Sequence, residues 1–385
     1  MGAGVRAIKI QVLVEDEHED EFHSNRTCFL EAPLRMKMTL FSFVPLGKGD
    51  AAHFAAGGLR SGPTPALTVK ACQAFTPSEE GIFRGGAMSS FHGILPAVVS
   101  PFDDGERFNV PVFERLLERL YAQGIHGVYV CGSTGEGLLQ SVAQRKQIAE
   151  VAVRCSPKGK QVILHVGAHN TGDAVELTRH AARIGAHAVS SLPPAGSYSF
   201  PEIRTYYQAI AAVSDLPVLV YYFPEICPTV SSTEEILELC EIPNVAGLKF
   251  TDFDLYKMSI LRRHGPVVFN GRDEVLVAGR LMGASGGIGS FYNLVPDLFL
   301  QVYELTESGR WKEARAIQDR INELIEIVLR FPGIPAIKTV LAWSGIDCGQ
   351  CLKPRRALNA AEQSQLRTLL SQSSFAHLVS IGTRA

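Results

Sequence analysis

The run Val245-Ala-Gly-Leu-Lys-Phe-Thr251 is apolar apart from one lysine near its end, and it reads as a buried strand. Taking an ammonium out of water is costly, and a lysine kept there can supply the free amine that attacks a ketone to form a Schiff base. Lys249 is therefore a candidate nucleophile; the alternative is that it merely ends the strand and reaches solvent. Similar runs flank it. Upstream, Pro217-Val-Leu-Val-Tyr-Tyr-Phe-Pro224 ends in tyrosines, and downstream come Asn270-Gly-Arg-Asp-Glu274 and Gly286-Gly-Ile-Gly-Ser290, each a strand end carrying polar groups.

From Ile94 onward, short apolar runs at 94–102, 127–132, 161–167, 188–193, 217–223, 245–250, 267–271 and 286–290 alternate with amphipathic stretches. Between the strands lie helical stretches such as Val110–Gln123, Val142–Arg154, Thr171–Ile184, Glu202–Val213, Thr233–Cys240, Asp254–Arg263 and Glu274–Met282, with apolar residues three and four apart. Eight strands alternating with helical stretches predict an α/β fold, a (β/α)8 TIM barrel rather than an open sheet. The barrel is expected over 88–300, with helical runs near 310–330, 334–343 and 360–371 forming a C-terminal helical extension over 301–385. Residues 1–87 carry the acidic tract Val14-Glu-Asp-Glu-His-Glu-Asp-Glu-Phe22 and Gly/Ala/Pro-rich stretches, and read as an irregular segment. The apolar Leu40-Phe-Ser-Phe-Val-Pro-Leu46 is short, interrupted by proline and preceded by acidic residues, unlike a signal peptide.

With 46% hydrophobic and 20% charged residues, a chain of 385 residues can bury a large core. A formal charge of −2 gives no basic stripe for nucleic acid, and no run is long enough to span a bilayer. Small molecules are the expected partners. The eight cysteines are scattered without the spacing of a secreted disulfide scaffold, so reduced thiols in a cytoplasm are expected. Cys348-Gly-Gln-Cys351 is a C-x-x-C without a second pair, and no metal site is assigned to it.

In a barrel of this kind the reaction site lies where the strands end. Gly132-Ser-Thr-Gly-Glu136, Tyr221, Lys249, Gly271 to Glu274 and Ser290 all fall there. A lysine at such a mouth can form an iminium with a 2-oxo acid, which then acts as the electron sink for cleaving the bond between the third and fourth carbons. Tyr221 is the candidate to move the proton of the fourth-carbon hydroxyl. Ser133 and Thr134, in a loop before the helix beginning near Val142, offer hydroxyls and backbone N–H groups to a carboxylate; a plain βα turn is the alternative. Asp273 and Glu274 suit sugar hydroxyls, or simply begin a helix. Tyr222 and Phe223 read as packing residues, and Glu136 as a residue that orders its own loop.

These motifs resemble the N-acetylneuraminate lyase and dihydrodipicolinate synthase family of pyruvate-dependent class I aldolases. The resemblance covers about Phe91 to Leu370 and rests on Gly132-Ser-Thr-Gly-Glu136, Tyr221 with Pro224, Gly247-Leu-Lys-Phe-Thr251 and Gly286-Gly-Ile-Gly-Ser290, in the family's order. It implies that Lys249 is the Schiff-base lysine, Tyr221 the catalytic tyrosine, and Ser133 with Thr134 the pyruvate-carboxylate pair. The lyase branch looks closer: Thr251, Gly271, Asp273, Glu274 and Ser290 match positions that contact the sugar there, and no arginine stands in 224–228 to hold a second carboxylate, as one usually does in the synthase branch. The resemblance also implies a homotetramer, with no metal or organic cofactor. Two departures stand out. Pro194-Ala-Gly-Ser-Tyr198 replaces a tyrosine pair, and Arg272 beside the sugar site suits an acidic substrate. The alternatives are another 2-oxo-3-deoxy sugar acid, the synthase reaction, and a barrel that binds without catalysis.

Met88-Ser-Ser-Phe-His-Gly-Ile94 opens the regular region, so translation is expected to start at Met88. An N-terminal peptide mass on native protein checks this: a first peptide beginning at Met88 or Ser89 is expected, and peptides from before Met88 would refute it.

Overall fold

The computed structural model describes residues 91–379. The expectation of an irregular segment over 1–87, the start at Met88, and Cys28 and Cys72 lie outside the described residues. The eight expected strands all form: β1 (Gly93–Pro96), β2 (Gly127–Val130), β3 (Gln161–His165), β4 (Ala188–Ser191), β5 (Val218–Tyr222), β6 (Val245–Phe250), β7 (Val267–Asn270) and β8 (Gly286–Gly289). All pairings are parallel, in the order β1-β8-β7-β6-β5-β4-β3-β2. The cylinder closes between the outer two: Ala97 bridges Tyr129, the Val98 N–H donates to the Tyr129 carbonyl at 2.9 Å, and the His126 N–H donates to the Ile94 carbonyl at 3.1 Å.

Strand alternation then sorts the side chains. Leu219 and Tyr221 of β5 join Leu95, Tyr129, Ile163, Phe269 and Ile288 in the barrel interior, whereas Val218, Val220 and Tyr222 pack in the shell between sheet and helices. Tyr221 pairs in register with Lys249, and Lys249 with Phe269. Lys249 is thus carried on the interior face of β6, while its neighbours Leu248 and Phe250 belong to the outer shell.

The shell helices are α1 (Val110–Ala122), α2 (Val142–Arg154), α3 (Thr171–Ile184), α4 (Phe200–Ala211), α5 (Thr233–Cys240), α6 (Leu255–Arg263), α7 (Leu276–Leu281) and α8 (Pro296–Glu307). Three more follow: α9 (Trp311–Val328), α10 (Gly333–Trp343) and α11 (Ala360–Ser371). The bounds of α2, α3 and α5 are those expected from the sequence. Helix α4 begins earlier than Glu202, because Ser199 caps it and its N–H donates to the Glu202 carboxylate at 2.7 Å. Helix α7 is shorter than expected, since Asp273–Val275 forms a 3-10 turn ahead of it. Helix α8 was not anticipated, and it runs across residue 300. It buries Pro296, Leu298, Phe299, Leu300, Val302 and Tyr303, so its apolar residues wrap more than one face and blur the helical period. Among the described residues, no helix is long and apolar enough to cross a membrane.

Candidate active site

Lys249 is buried, and its ammonium lies 4.0 Å from the ring centroid of Tyr221 and 4.3 Å from that of Tyr129. It does not snorkel to solvent. Ring faces attract a cation, so the two tyrosines give the nitrogen a defined position. They meet edge to face at 6.1 Å, and His165 meets Tyr221 in the same way at 6.0 Å. Phe223 stacks on the Tyr221 ring at 5.9 Å.

Tyr129 and His165 were not singled out in the sequence. The Tyr129 hydroxyl donates to the Ser190 hydroxyl at 3.1 Å, and burial, with Tyr221 next, holds its pKa well above the ordinary phenol value. It stays protonated. Burial, reinforced by the cations Arg145 and Lys249, pushes the His165 ring well below its usual value. That ring is neutral, and its Nε2 accepts the Leu192 N–H at 3.1 Å. Arg145 is itself buried and donates to the carbonyls of His165 at 2.6 Å and Gly167 at 2.9 Å. The end of β3 is therefore pinned from outside the barrel.

Thr134 and Ser290, 156 residues apart, meet at 2.6 Å between hydroxyl oxygens. Two carbonyls of the Gly132–Glu136 loop are taken up within the chain: Ser133 accepts from the Glu136 N–H at 3.2 Å, and Gly135 from the Ser100 hydroxyl at 2.9 Å. Ser133 stays half-buried beside them. The loop does not lead directly into α2, because the 3-10 turn Gly137–Leu139 intervenes and Ser141 caps the helix. Any hold on an anion here rests on the loop's own hydroxyls and N–H groups, without the α2 dipole.

Asp273 is buried under the end of β8. Its Oδ2 accepts the Phe291 N–H at 2.8 Å, while Oδ1 is buried without a hydrogen-bond partner. A Cβ on Gly289 would stand 1.7 Å from Oδ1, which is why that strand end needs glycine. Asp273 thus fixes the turn that carries Ser290. The sequence suggested the start of a helix or a sugar contact, and neither reading revealed this buried brace. Glu274 is half-buried, and the carbonyls of Asp273 and Glu274 accept from Gln318 at 2.9 Å and Asn322 at 3.1 Å on α9. Thr251 is buried, with an unpartnered Oγ1 lying 2.1 Å from where a Cβ on Gly271 would be.

Arg272 forms an ion pair with Glu225, and its guanidinium lies 4.4 Å from the Phe253 centroid and 5.2 Å from that of Phe223. Its charge is met within the chain. Tyr222 faces away from the interior, hydrogen-bonded to Asp252 at 3.2 Å and to Lys257 at 3.0 Å, as a packing residue would be. Tyr198, in the segment that departs from the family pattern, is exposed. Among the described residues, no cluster of three His, Cys, Asp or Glu side chains could hold a metal.

Residues 90–373 match the Dihydrodipicolinate synthetase family. The chain belongs to that family. Within it, the chain is similar to an N-acetylneuraminate lyase of Rhizobium meliloti, 36% identical over 71% of this chain and 93% of that protein. A Citrobacter koseri N-acetylneuraminate lyase is 34% identical over 73% and 96%. Among solved structures, the Ruminococcus gnavus sialic acid aldolase superposes with a TM-score of 0.71 at 28% identity, covering 75% of this chain and 97% of the other. A catalytic lysine mutant of that aldolase has also been solved.

In this family member one titration bears directly on the site's framework. Burial raises the Asp273 carboxyl to about 7, against the Phe291 hydrogen bond that favours the ionised form; nearby Glu274 raises it further and Lys249 lowers it. A carboxyl raised on folding contributes stability that is full below its unfolded value and is lost as pH rises through the folded one. Asp273→Asn is expected to remove up to about 3 kcal/mol of the stability that the wild type loses between about pH 5 and pH 8. Denaturant titrations at both pH values check this. Parallel stability losses in the two proteins would show that the carboxyl does not titrate in this range.

Proposed function

We propose that the barrel mouth carries out class I aldol cleavage of N-acetylneuraminate, or a similar 2-oxo-3-deoxy sugar acid, to pyruvate and an aldehyde sugar. The observation that carries this reading is a buried lysine amine held between the faces of Tyr129 and Tyr221 at the carboxyl end of β6. The relatives named N-acetylneuraminate lyase, and the lysine mutant of the Ruminococcus gnavus aldolase, support the same chemistry.

In this mechanism the Lys249 amine attacks the C2 ketone, water leaves, and a protonated imine forms. Tyr221 takes the proton of the C4 hydroxyl as the C3–C4 bond breaks and passes its own phenol proton to the bound carboxylate, which later delivers it to C3. The bonding pair moves toward the imine nitrogen, giving an enamine and releasing the aldehyde. Protonation at C3 and hydrolysis of the imine then release pyruvate and restore the amine. Ser133 and Thr134 hold the substrate carboxylate, with Ser290 fixing the Thr134 hydroxyl. The reaction draws on no metal or organic cofactor.

Thr251, Gly271, Asp273 and Glu274 line the sugar side in this reading, with Asp273 acting partly through the Ser290 turn that it braces. Because Arg272 is already paired with Glu225, that side presents a compensated charge and suits a neutral polyhydroxyl tail better than an acidic one. Absence of an arginine in 224–228 argues against the synthase reaction. The working form proposed is a cytoplasmic homotetramer, and light scattering tests the tetramer.

Pyruvate release from N-acetylneuraminate tests the function. Lys249→Ala is expected to abolish turnover, and Tyr221→Phe to slow cleavage about 10²-fold or more while still forming the imine. Substantial turnover by Lys249→Ala would refute the mechanism. A wild-type protein inert toward this substrate but active on other 2-oxo-3-deoxy sugar acids would move the substrate assignment within the class.

A further inference from the structure

Behind the Ser133–Thr134 loop lies an ion pair that the mechanism does not use. Glu136 adopts a left-handed backbone conformation (φ 57°) and is buried. Its Oε1 lies 2.8 Å from the Lys338 ammonium of α10, and its Oε2 accepts the Leu352 N–H at 2.7 Å. The two side chains are 0% and 2% exposed, so neither charge is screened by water. Lys338 also donates to the Gln350 carbonyl at 3.0 Å and sits over the Phe102 ring at 4.6 Å.

The segment Cys348–Leu352 is thereby strapped across the back of the loop. Its other anchor is the Phe102 N–H, which donates to the Cys348 carbonyl at 3.1 Å. Gly349 has φ 67°, and a Cβ there would stand 2.0 Å from the Phe102 carbonyl oxygen. This accounts for the C-x-x-C in the sequence. The glycine permits the close approach, and both cysteines are buried thiols whose pKa burial pushes up to about 12. They pack instead of reacting.

We infer that Lys338 and Glu136 form a positioning pair for the carboxylate subsite, through which the C-terminal helices set the placement of Ser133 and Thr134. The Glu136 N–H donates to the Ser133 carbonyl, so the orientation of the buried carboxylate passes directly to the residue that binds substrate. The pair also has an electrostatic task. An unpaired carboxylate two residues from Thr134 would repel the anionic group that this loop is to receive, and Lys338 cancels it. The inference rests on the reading that Ser133 and Thr134 hold the pyruvate carboxylate.

The test is the pyruvate concentration that half-saturates borohydride trapping, with the trapping rate at saturation measured alongside. It compares the wild type, Lys338→Met, and the double variant Glu136→Met/Lys338→Met. Apolar replacement of a buried ion pair is commonly tolerated, so the double variant keeps the test open where the single variant does not fold. Both are expected to raise half-saturation by about tenfold or more with the saturated rate within about threefold of wild type, the signature of lost ground-state binding. A folded variant whose half-saturation stays within about twofold of wild type would overturn the positioning role. A wild-type protein that traps no pyruvate would instead overturn the carboxylate reading, and this inference with it.

Discussion

An amine kept out of bulk water against two tyrosine faces is the constraint on which the rest of the site depends. Lys249 reaches that position only because β6 lies inside a closed cylinder, where strand alternation sends it inward in register with Tyr221 on one side and Phe269 on the other. In an open sheet the same strand would pack helices on both faces, and a buried lysine there would have only its desolvation cost. The closure between β1 and β2 is also what brings Tyr129 to the second face of the ammonium.

Around that nitrogen the barrel is braced from behind. Arg145 pins the end of β3, Asp273 pins the turn after β8, and the Glu136–Lys338 pair pins the loop after β2. Each is a buried ionisable group carried by a helix or loop outside the barrel interior, and each bonds an element other than its own. Buried charges are expensive, and their concentration behind the strand ends matches the need to hold several small polar groups in fixed relation. The glycines of β8 belong to the same arrangement, since the Asp273 carboxyl fits only because Gly289 lacks a side chain.

Much of this was legible in the sequence. Apolar runs bounded by helical periods gave all eight strands, and Val245–Phe250 emerged with the bounds read for it. Lys249, Tyr221, Thr134 and Ser290 stood out as polar residues at apolar strand ends. What stayed hidden follows from closure and from long-range pairing. Tyr129 lies within an apolar strand, and its inward direction becomes visible only once β1 and β2 join. His165 looks like the end of a strand until Arg145 and Leu192 meet it. Helix α8 was lost because it is buried on more than one face. The partnership of Glu136 with a lysine 202 positions later, and of Asp273 with the Phe291 N–H, depends on contacts that no local pattern encodes.

The most direct measurement is to incubate the native protein with pyruvate and sodium borohydride, read the intact mass, and map the modified peptide. Reduction of the imine should leave one irreversible pyruvate adduct per chain, located on Lys249 within the peptide that spans Val245–Thr251. Folded protein that takes up no adduct, or carries it on another lysine, would contradict the assignment of this amine as the nucleophile.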